Sequence, residues 1–259
     1  MKISIVIPAH NEEKRIGKTL EAYSKFFEDR KDIENFELLV VLNACKDNTK
    51  VVVENAKRKH KGVRYLDFNR GGKGFAIIQG FKDALKRDND LIGFIDADMS
   101  TSPESYYELI RKIDGYDGII ADRWDKKSIF EYSFLKKLRS RIYNSFVRVL
   151  FSFPFRDTQC GAKIFTKKVL EKNINKVVSS DFNFDVALLF CLRKESKAKI
   201  ISVHTVWKEK AGSKIFSIKS PLRMFLSAIR LRLIHSPFKF IIKFYRRLPD
   251  SLEIHKWLS

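Results

Sequence analysis

The first 95 residues alternate between two hydrophobic periods, and that alternation limits the possible folds more than any other feature of the chain. Ile3–Ile7, Phe36–Leu42, Val63–Phe68 and Leu91–Ile95 are short runs rich in β-branched residues. Amphipathic stretches over Glu12–Glu28, Asp47–His60 and Gly74–Lys86 lie between them, joined by loops of a few residues. Strands separated by helix-length segments pair in parallel, because each crossover must carry the chain back along one face of the sheet. The spacing predicts an α/β fold with a mostly parallel central sheet and helices on both faces. Its ligand site is expected at the carboxyl ends of the strands. Ile119–Ala121 and Ala162–Phe165 are further candidate strands, and Asp181–Arg193 a further candidate helix.

Charge divides the chain in two. The net charge of +20 comes from 51 Lys and Arg against 31 Asp and Glu. Residues 1–125 hold 22 of each sign, so the whole excess lies in residues 126–259. That split suggests chemistry in the first half and an anionic partner for the second. Residues 126–156 carry eight Lys and Arg against one Glu, with aromatics interleaved, and residues 212–248 carry nine and no acid. Pro221 and Pro237 are expected to divide the latter stretch into two short helices. A basic helix with a wide apolar face suits a membrane interface, its apolar side in the acyl boundary and its Lys and Arg at anionic headgroups. The other reading is helices that cover the sheet or pair in a dimer.

No run reaches the roughly 18 apolar residues that a bilayer-spanning helix requires, and the first ten residues read as a buried strand rather than a secretory signal. A soluble or peripheral protein is expected. Cys45, Cys160 and Cys191 are widely separated and make neither a CxxC pair nor a zinc spacing. A reducing compartment is the simplest reading.

Asp96 and Asp98 end an apolar run one residue apart. Two carboxylates just past a buried strand repel each other in a poorly solvated cleft, so a cation between them is expected. A Mg²⁺ or Mn²⁺ ion carrying a diphosphate meets that need with hard oxygen ligands. Ile5–Glu13 closes the first strand and places Pro8, Ala9 and Glu12 at the same edge. Glu12 can accept hydrogen bonds from a ribose or base, or act as a helix-dipole carboxylate. Asn69–Gly74, NRGGKG, lets the backbone approach a ligand closely and sets Lys73 at a helix start, a plausible seat for nucleotide or phosphate. It is neither a P-loop nor a GxGxxG fingerprint, which disfavours a dinucleotide fold.

In order along the chain, IVIPAHNEE, VVLNACKDNT, NRGGKGFAIIQGF, FIDADMSTSPE, ADRW and DTQCGAKIF resemble the inverting glycosyltransferases of family 2, and most closely the dolichyl-phosphate glucose and mannose synthases. The resemblance covers roughly residues 1–215, and DTQCG followed by FDVALL is its most specific part. It implies a GT-A nucleotide-diphospho-sugar transferase fold over residues 1–211, with basic amphipathic helices over 212–259 at a membrane interface. The implied activity moves a sugar from a nucleotide donor to a polyprenyl phosphate, with Mg²⁺ or Mn²⁺, on the cytoplasmic side of a membrane. By position, Pro8, Ala9, Glu12, Lys73 and Asp96 would contact the nucleotide, Asp96 and Asp98 the metal, and Arg123 a phosphate. Relatives read DDGSTDGT where this chain has LNACKDNT, so Leu42 or Asn43 stands where an acid usually reads the base, and Asn43 is counted with the nucleotide-contacting residues. The wording of DTQCG favours UDP-glucose over GDP-mannose.

A phosphate monoester acceptor is mostly dianionic at neutral pH, so it needs positive charge more than a general base. Arg123, Arg139, Lys163 and Lys214 are candidates to gather it. A sugar hydroxyl acceptor would need a carboxylate to take its proton, and Asp157 and Asp185 are the candidates. Asp157 is preferred, because its loop resembles one that faces the acceptor in related enzymes. Their structural readings are a helix or turn cap and an arginine partner. Trp207 packs either on sugar or lipid or in the core, and His204 is assigned no role. A glycosyltransferase acting on a saccharide or protein hydroxyl is the second reading. A nucleic-acid or membrane adaptor is the third, and the ordered acids of the first half argue against nucleic acid as partner.

Overall fold

A computed structural model places the amino-terminal apolar run, β1 (Lys2–Ala9), inside a seven-stranded sheet. Residues 1–131, 133–177, 183–208 and 219–240 are described, without the side chains of 219–221 and 239. All of β1 after Lys2 is buried, as expected of a strand covered on both faces. Its side chains sort with period two. Ile3, Ile5, Ile7 and Ala9 enter one core layer and Val6 the other.

The chain runs from β1 through α1 (Ile16–Glu28) to β2 (Asn35–Asn43), then through α2 (Thr49–Lys59) to β3 (Val63–Phe68). It returns along the opposite face through α3 (Lys73–Ala84) to β4 (Leu91–Phe94), which pairs with the free side of β1. After α4 (Pro103–Arg111) come β5 (Gly118–Asp122), β6 (Ile129–Glu131), α5 (Phe134–Phe151), β7 (Lys163–Thr166), α6 (Lys167–Asn173), α7 (Phe184–Ser196), β8 (Ile200–His204), β9 (Val206–Lys208) and α8 (Lys219–Ile234). The sheet order is β3-β2-β1-β4-β7-β5-β8, and β6 pairs with β9 apart from it. Only β7 is antiparallel to its neighbours β4 and β5. The mostly parallel α/β sandwich expected from the alternation is therefore present.

Two features bear on function. Strand order reverses between β1 and β4, which places a crevice at their carboxyl ends, while the helices that follow them, α1 and α4, pack together on one face through Tyr23 and Tyr106. The antiparallel run of β7 then pairs Lys163 with Phe94, the last residue of β4. The loop before β7 thereby arrives at that crevice.

α8 corrects one expectation. Pro221 lies in its first turn and does not divide it, because a proline there removes an N–H that has no helical partner. Pro237 does begin a separate 3₁₀ turn, Pro237–Lys239. The inner face of α8 packs through Ala228 and Leu231 into the core layer shared with α5 and α7. Phe225 meets Tyr143 and Phe146 of α5 with ring centroids 5.4 and 4.8 Å apart. The outer faces are different. Phe134, Leu135, Leu138, Ile142 and Val149 of α5 and Leu222 and Ile229 of α8 are exposed, beside exposed Arg139, Arg141, Arg148, Arg223 and Arg230. Among the described residues no helix is long and apolar enough to cross a membrane. Residues 209–218 and 241–259, which include Lys214 and much of the expected basic appendage, lie outside the described residues.

On the far side of the sheet, His60 caps α2 with its ring nitrogens 3.0 Å from Glu28 and 3.0 Å from Glu21, both on α1. Both nitrogens can donate only in the protonated ring. The hydrogen bond to Glu21 is the main reason the His60 pKa rises above 6.5, against a smaller opposing effect of burial. A folded-state pKa raised above the unfolded value stabilises the fold fully below the unfolded pKa and loses that contribution as pH rises through the folded one. The melting-temperature gap between wild type and His60→Phe is accordingly expected to be widest near pH 6 and to narrow toward pH 9. A gap constant across that range would exclude the charged form.

Candidate active site

Three loops meet at the reversal point, and each contains a residue held at positive φ. These are Asn11 (55°) after β1, Ala44 (52°) after β2 and Met99 (62°) after β4. Each costs on the order of 1 kcal/mol or more. Among the described residues, the other non-glycine residues with positive φ, Ser152 and Lys197, are ordinary left-handed helix caps. Backbone strain outside helix ends is thus concentrated at one mouth.

The strained loops are tied together. Asn11 Oδ1 accepts from Lys46 N at 2.8 Å, Glu13 Oε2 accepts from Asn48 N at 3.0 Å, and Glu12 N donates to Thr49 Oγ1 at 2.7 Å. These bonds hold residues 12–15 as a turn, which is why α1 starts at Ile16 rather than at Glu12. Asn43 is buried between the loops. Its Nδ2 donates to the Ala9 carbonyl at 2.9 Å, and its Oδ1 accepts from Gly72 N at 3.3 Å. Gly72 has φ of 122°, a conformation that favours glycine, and it opens α3 with Lys73 as the first helical residue.

The crevice is a pocket of about 200 Å³ lined by the expected Pro8, Glu12, Asn43, Lys73, Asp96 and Asp98, together with His10 and Arg15. Ala9 lies beneath it, fully buried. Lys73 Nζ is 2.5 Å from Asp96 Oδ1. Arg15 grips Glu12 through two bonds of 2.7 and 2.6 Å and reaches within 3.9 Å of Asp98. Asp98 Oδ1 also accepts from Ser100 N at 3.0 Å, which fixes the turn after β4. Burial opposes ionisation of both Asp96 and Lys73. Their mutual attraction outweighs it, so the Asp96 pKa falls below the ordinary carboxylate value and that of Lys73 rises above the ordinary lysine value.

Asp96 and Asp98 fit a hard divalent ion. They are adjacent oxygen donors in a pocket whose cationic side chains already answer to them. Among the described residues no group of three or more His, Cys, Asp or Glu is placed to hold a metal alone. Remaining ligands would come from a diphosphate and water, as Mg²⁺ prefers. A larger open groove of about 740 Å³ lies at the opposite, amino-terminal edge of the strands, where Glu37 is paired with Arg64 and Arg87. It contains none of the residues expected at the site.

Comparison with known proteins agrees with this geometry. The model of the family described as glycosyl transferase family 2 matches residues 4–174. The chain belongs to that family. It is 31% identical over 240 residues to the dolichyl-phosphate beta-glucosyltransferase of Drosophila melanogaster, covering 86% of this chain and 72% of that protein. It is 24% identical to the glycosyltransferase AglD of Haloferax volcanii over 86% of this chain, but spans only 36% of that longer protein. A crystal structure of glucosyl-3-phosphoglycerate synthase from Mycobacterium tuberculosis with Mn²⁺, UDP and glucosyl-3-phosphoglycerate superposes with a TM-score of 0.66 at 18% identity, over 90% of this chain and 78% of that one. The family 2 chain therefore has the GT-A fold and is a glycosyltransferase.

In this family 2 enzyme the acceptor-side residues are arranged differently from their sequence reading. Asp157 is fully buried, and Arg123 grips it through Nε at 2.6 Å and Nη2 at 3.0 Å, with Arg123 N at 3.2 Å and Gln159 N at 3.1 Å. The guanidinium also lies over the rings of Phe130 and Trp207. The structure gives Asp157 an arginine partner in addition to the turn cap that its bond from Gln159 N makes, and puts Trp207 in the core. Lys163, expected to gather acceptor phosphate, is fully buried and paired with Asp185. A strand residue facing inward beside Phe94 has no path to a lipid phosphate. Cys160 is inert, since burial pushes its thiol up to about 12. Arg139 is exposed on α5.

Sequence reasoning missed Arg15, His10 and Gly161. Arg15 is three residues from Glu12, the spacing of a helical ion pair, and that spacing was its one available signal. Removing one partner of a buried ion pair is strongly destabilising. Asp157→Ala is accordingly expected to lower the unfolding free energy by about 3–5 kcal/mol, measured by urea denaturation. A loss under about 1 kcal/mol would show that the pair is not a structural lock.

Proposed function

We propose that this enzyme transfers a hexose, glucose in the first instance, from a nucleoside diphosphate donor to a dolichyl or polyprenyl phosphate, with inversion and with Mg²⁺ or Mn²⁺. The observation that carries the acceptor class is the state of the two candidate bases. Asp157 and Asp185 are both committed to buried ion pairs, with Arg123 and Lys163. Neither is presented to an acceptor hydroxyl. A phosphate monoester dianion needs no base, so the site is chemically suited to it and poorly suited to a sugar hydroxyl. The curated relatives named dolichyl-phosphate beta-glucosyltransferase support the same reading.

Donor binding draws on the mouth residues. The diphosphate belongs at the amino end of α3, where unpaired backbone N–H groups and Lys73 converge. Asp96 and Asp98 would hold the metal, which supplies charge neutralisation for the departing nucleoside diphosphate. Glu12, released by Arg15, is the acceptor for ribose hydroxyls, with Pro8 and Ala9 shaping the floor. Asn43 supports the nucleotide through the loops it ties, its amide bonding the Ala9 carbonyl and Gly72 N. UDP is the favoured nucleotide and GDP the alternative.

In the transfer, an oxygen of the acceptor phosphate forms a bond to the anomeric carbon as the bond from that carbon to the diphosphate oxygen breaks. The bonding electrons leave on the diphosphate. Attack from the face opposite the leaving group inverts the centre, and no proton changes hands. Arg139 is the described candidate to gather the acceptor phosphate. The outer faces of α5 and α8 combine apolar and basic residues suited to an anionic lipid surface, at which the enzyme would work as a peripheral protein on the cytoplasmic side.

Incubation with radiolabelled UDP-glucose or GDP-mannose, polyprenyl phosphate and Mn²⁺ is expected to give organic-extractable label. Asp98→Asn, which keeps the oxygen that accepts from Ser100 N, is expected to abolish it at an unchanged melting temperature. No label with any donor would overturn the acceptor class, and full activity of the variant would remove the metal role. Leu135→Ser/Leu138→Ser/Ile142→Ser is expected to cut sedimentation with phosphatidylserine vesicles at least tenfold without changing UDP affinity. Undiminished sedimentation would exclude the α5 face.

A further inference from the structure

Lys163 and Asp185 are paired in a place that favours neither charge. Their side chains are 0% and 7% exposed, and Nζ lies 2.5 Å from Oδ1. Such a pair seldom adds stability over apolar residues of the same shape, because desolvation offsets the attraction. Its contacts suggest a different use. The same ammonium donates to the carbonyl of Cys160 at 2.5 Å and lies 5.1 Å from the centroid of the Phe94 ring. That carbonyl belongs to the peptide that carries Gly161, and Gly161 is where Asp96 rests. A Cβ on Gly161 would stand 1.9 Å from Asp96 Oδ2 and 2.4 Å from its Cγ. The carboxylate therefore lies against the bare α-carbon, and even a methyl group there would displace it. Lys163 is itself held in place by register with Phe94 and by the Tyr106 hydroxyl, which donates to its carbonyl at 3.1 Å.

We propose that Lys163 and Asp185 are positioning residues of the donor site, holding the Cys160–Gly161 peptide as the seat of the Asp96 carboxylate. The inference rests on the donor-site reading given above. It assigns the pair a purpose that Lys73 cannot serve. Lys73 is the present partner of Asp96 and also the cation nearest the amino end of α3, so an incoming diphosphate draws it away. Asp96 must then keep its place without that bond. A seat fixed from below by a buried, immobile ammonium gives the required precision, since loss of about 1 Å in placement is enough to cost catalysis heavily.

The test measures binding and folding separately. Lys163→Met/Asp185→Leu replaces the pair with apolar side chains, and Gly161→Ala leaves the pair intact while obstructing the seat. Isothermal titration with UDP and with GDP, each in the presence of Mn²⁺, gives affinity, and calorimetric melting gives stability. The double variant is expected to melt within a few degrees of wild type yet bind the nucleotide that wild type prefers at least tenfold more weakly. Gly161→Ala is expected to show a similar loss, and it carries the test should the double variant not fold. Wild-type affinity in a folded double variant, or in Gly161→Ala, would overturn the proposal while leaving the donor site standing. Failure of wild type to bind either nucleotide would overturn the donor site, and the proposal with it.

Discussion

Two carboxylates at the end of a buried strand set the terms for everything around them. Asp96 and Asp98 follow β4 closely, where both core layers crowd the backbone and the two carboxylates are only partly open to water. The fold meets this by bringing cations from other segments. Lys73 comes from the start of α3 and Arg15 from the turn before α1, while Lys163 of β7 and Arg123 just after β5 act on Asp96 at longer range, each paired with a carboxylate of its own. Arg15, Arg123 and Lys163 also bond Glu12, Asp157 and the Cys160 carbonyl. Charge compensation and loop placement are thus one set of contacts, and a ligand that exchanges with Lys73 or Arg15 alters both.

Topology makes that convergence possible. A sheet of strands in simple sequential order would cover its carboxyl edge evenly. Here the reversal between β1 and β4 leaves a gap, and the antiparallel β7 feeds the DTQCG segment into it. The three strained residues Asn11, Ala44 and Met99 border the same gap. Their cost is offset by the bonds that tie each loop to its neighbour, so the mouth is held open before any ligand arrives. Preorganisation of this kind lowers the entropy lost on binding.

What the amino-acid sequence disclosed follows from which forces are local. Hydrophobic period determined β1 to β4 and the three helices between them to within a few residues, because parallel strands buried on both faces leave continuous apolar runs. The mouth residues Pro8, Glu12, Lys73, Asp96 and Asp98 were legible from their place at strand ends. Partnerships were not. Lys163 reads as one more cation in a basic half, and only the register of β7 shows that it points into the core. Asp157 likewise reads as a reactive carboxylate until Arg123 is seen to close over it. The helices α5 and α8 were legible as amphipathic, but two apolar faces on one helix pair cannot be sorted by pattern alone. Packing of Ala228 and Leu231 inward assigns one face to the core and leaves the other to solvent or lipid.

The burial of Asp157 and Asp185 has a further consequence for how acceptor chemistry can differ within one fold. A site that deprotonates a hydroxyl must keep a carboxylate accessible and its pKa near the working pH. Arg123 instead draws the Asp157 pKa below the ordinary value, against the opposing effect of burial. A carboxylate so stabilised is a weak base even if an acceptor could reach it. Arg123 and Lys163 are in turn neutralised by the carboxylates they hold, so positive charge for an anionic acceptor has to come from exposed residues. Replacing Arg123 would therefore change two properties together, restoring basicity to the Asp157 carboxylate and leaving it buried without its partner, at a cost in stability. Under the proposed function, the buried ion pairs beneath the site bear on acceptor class as much as the residues that line it.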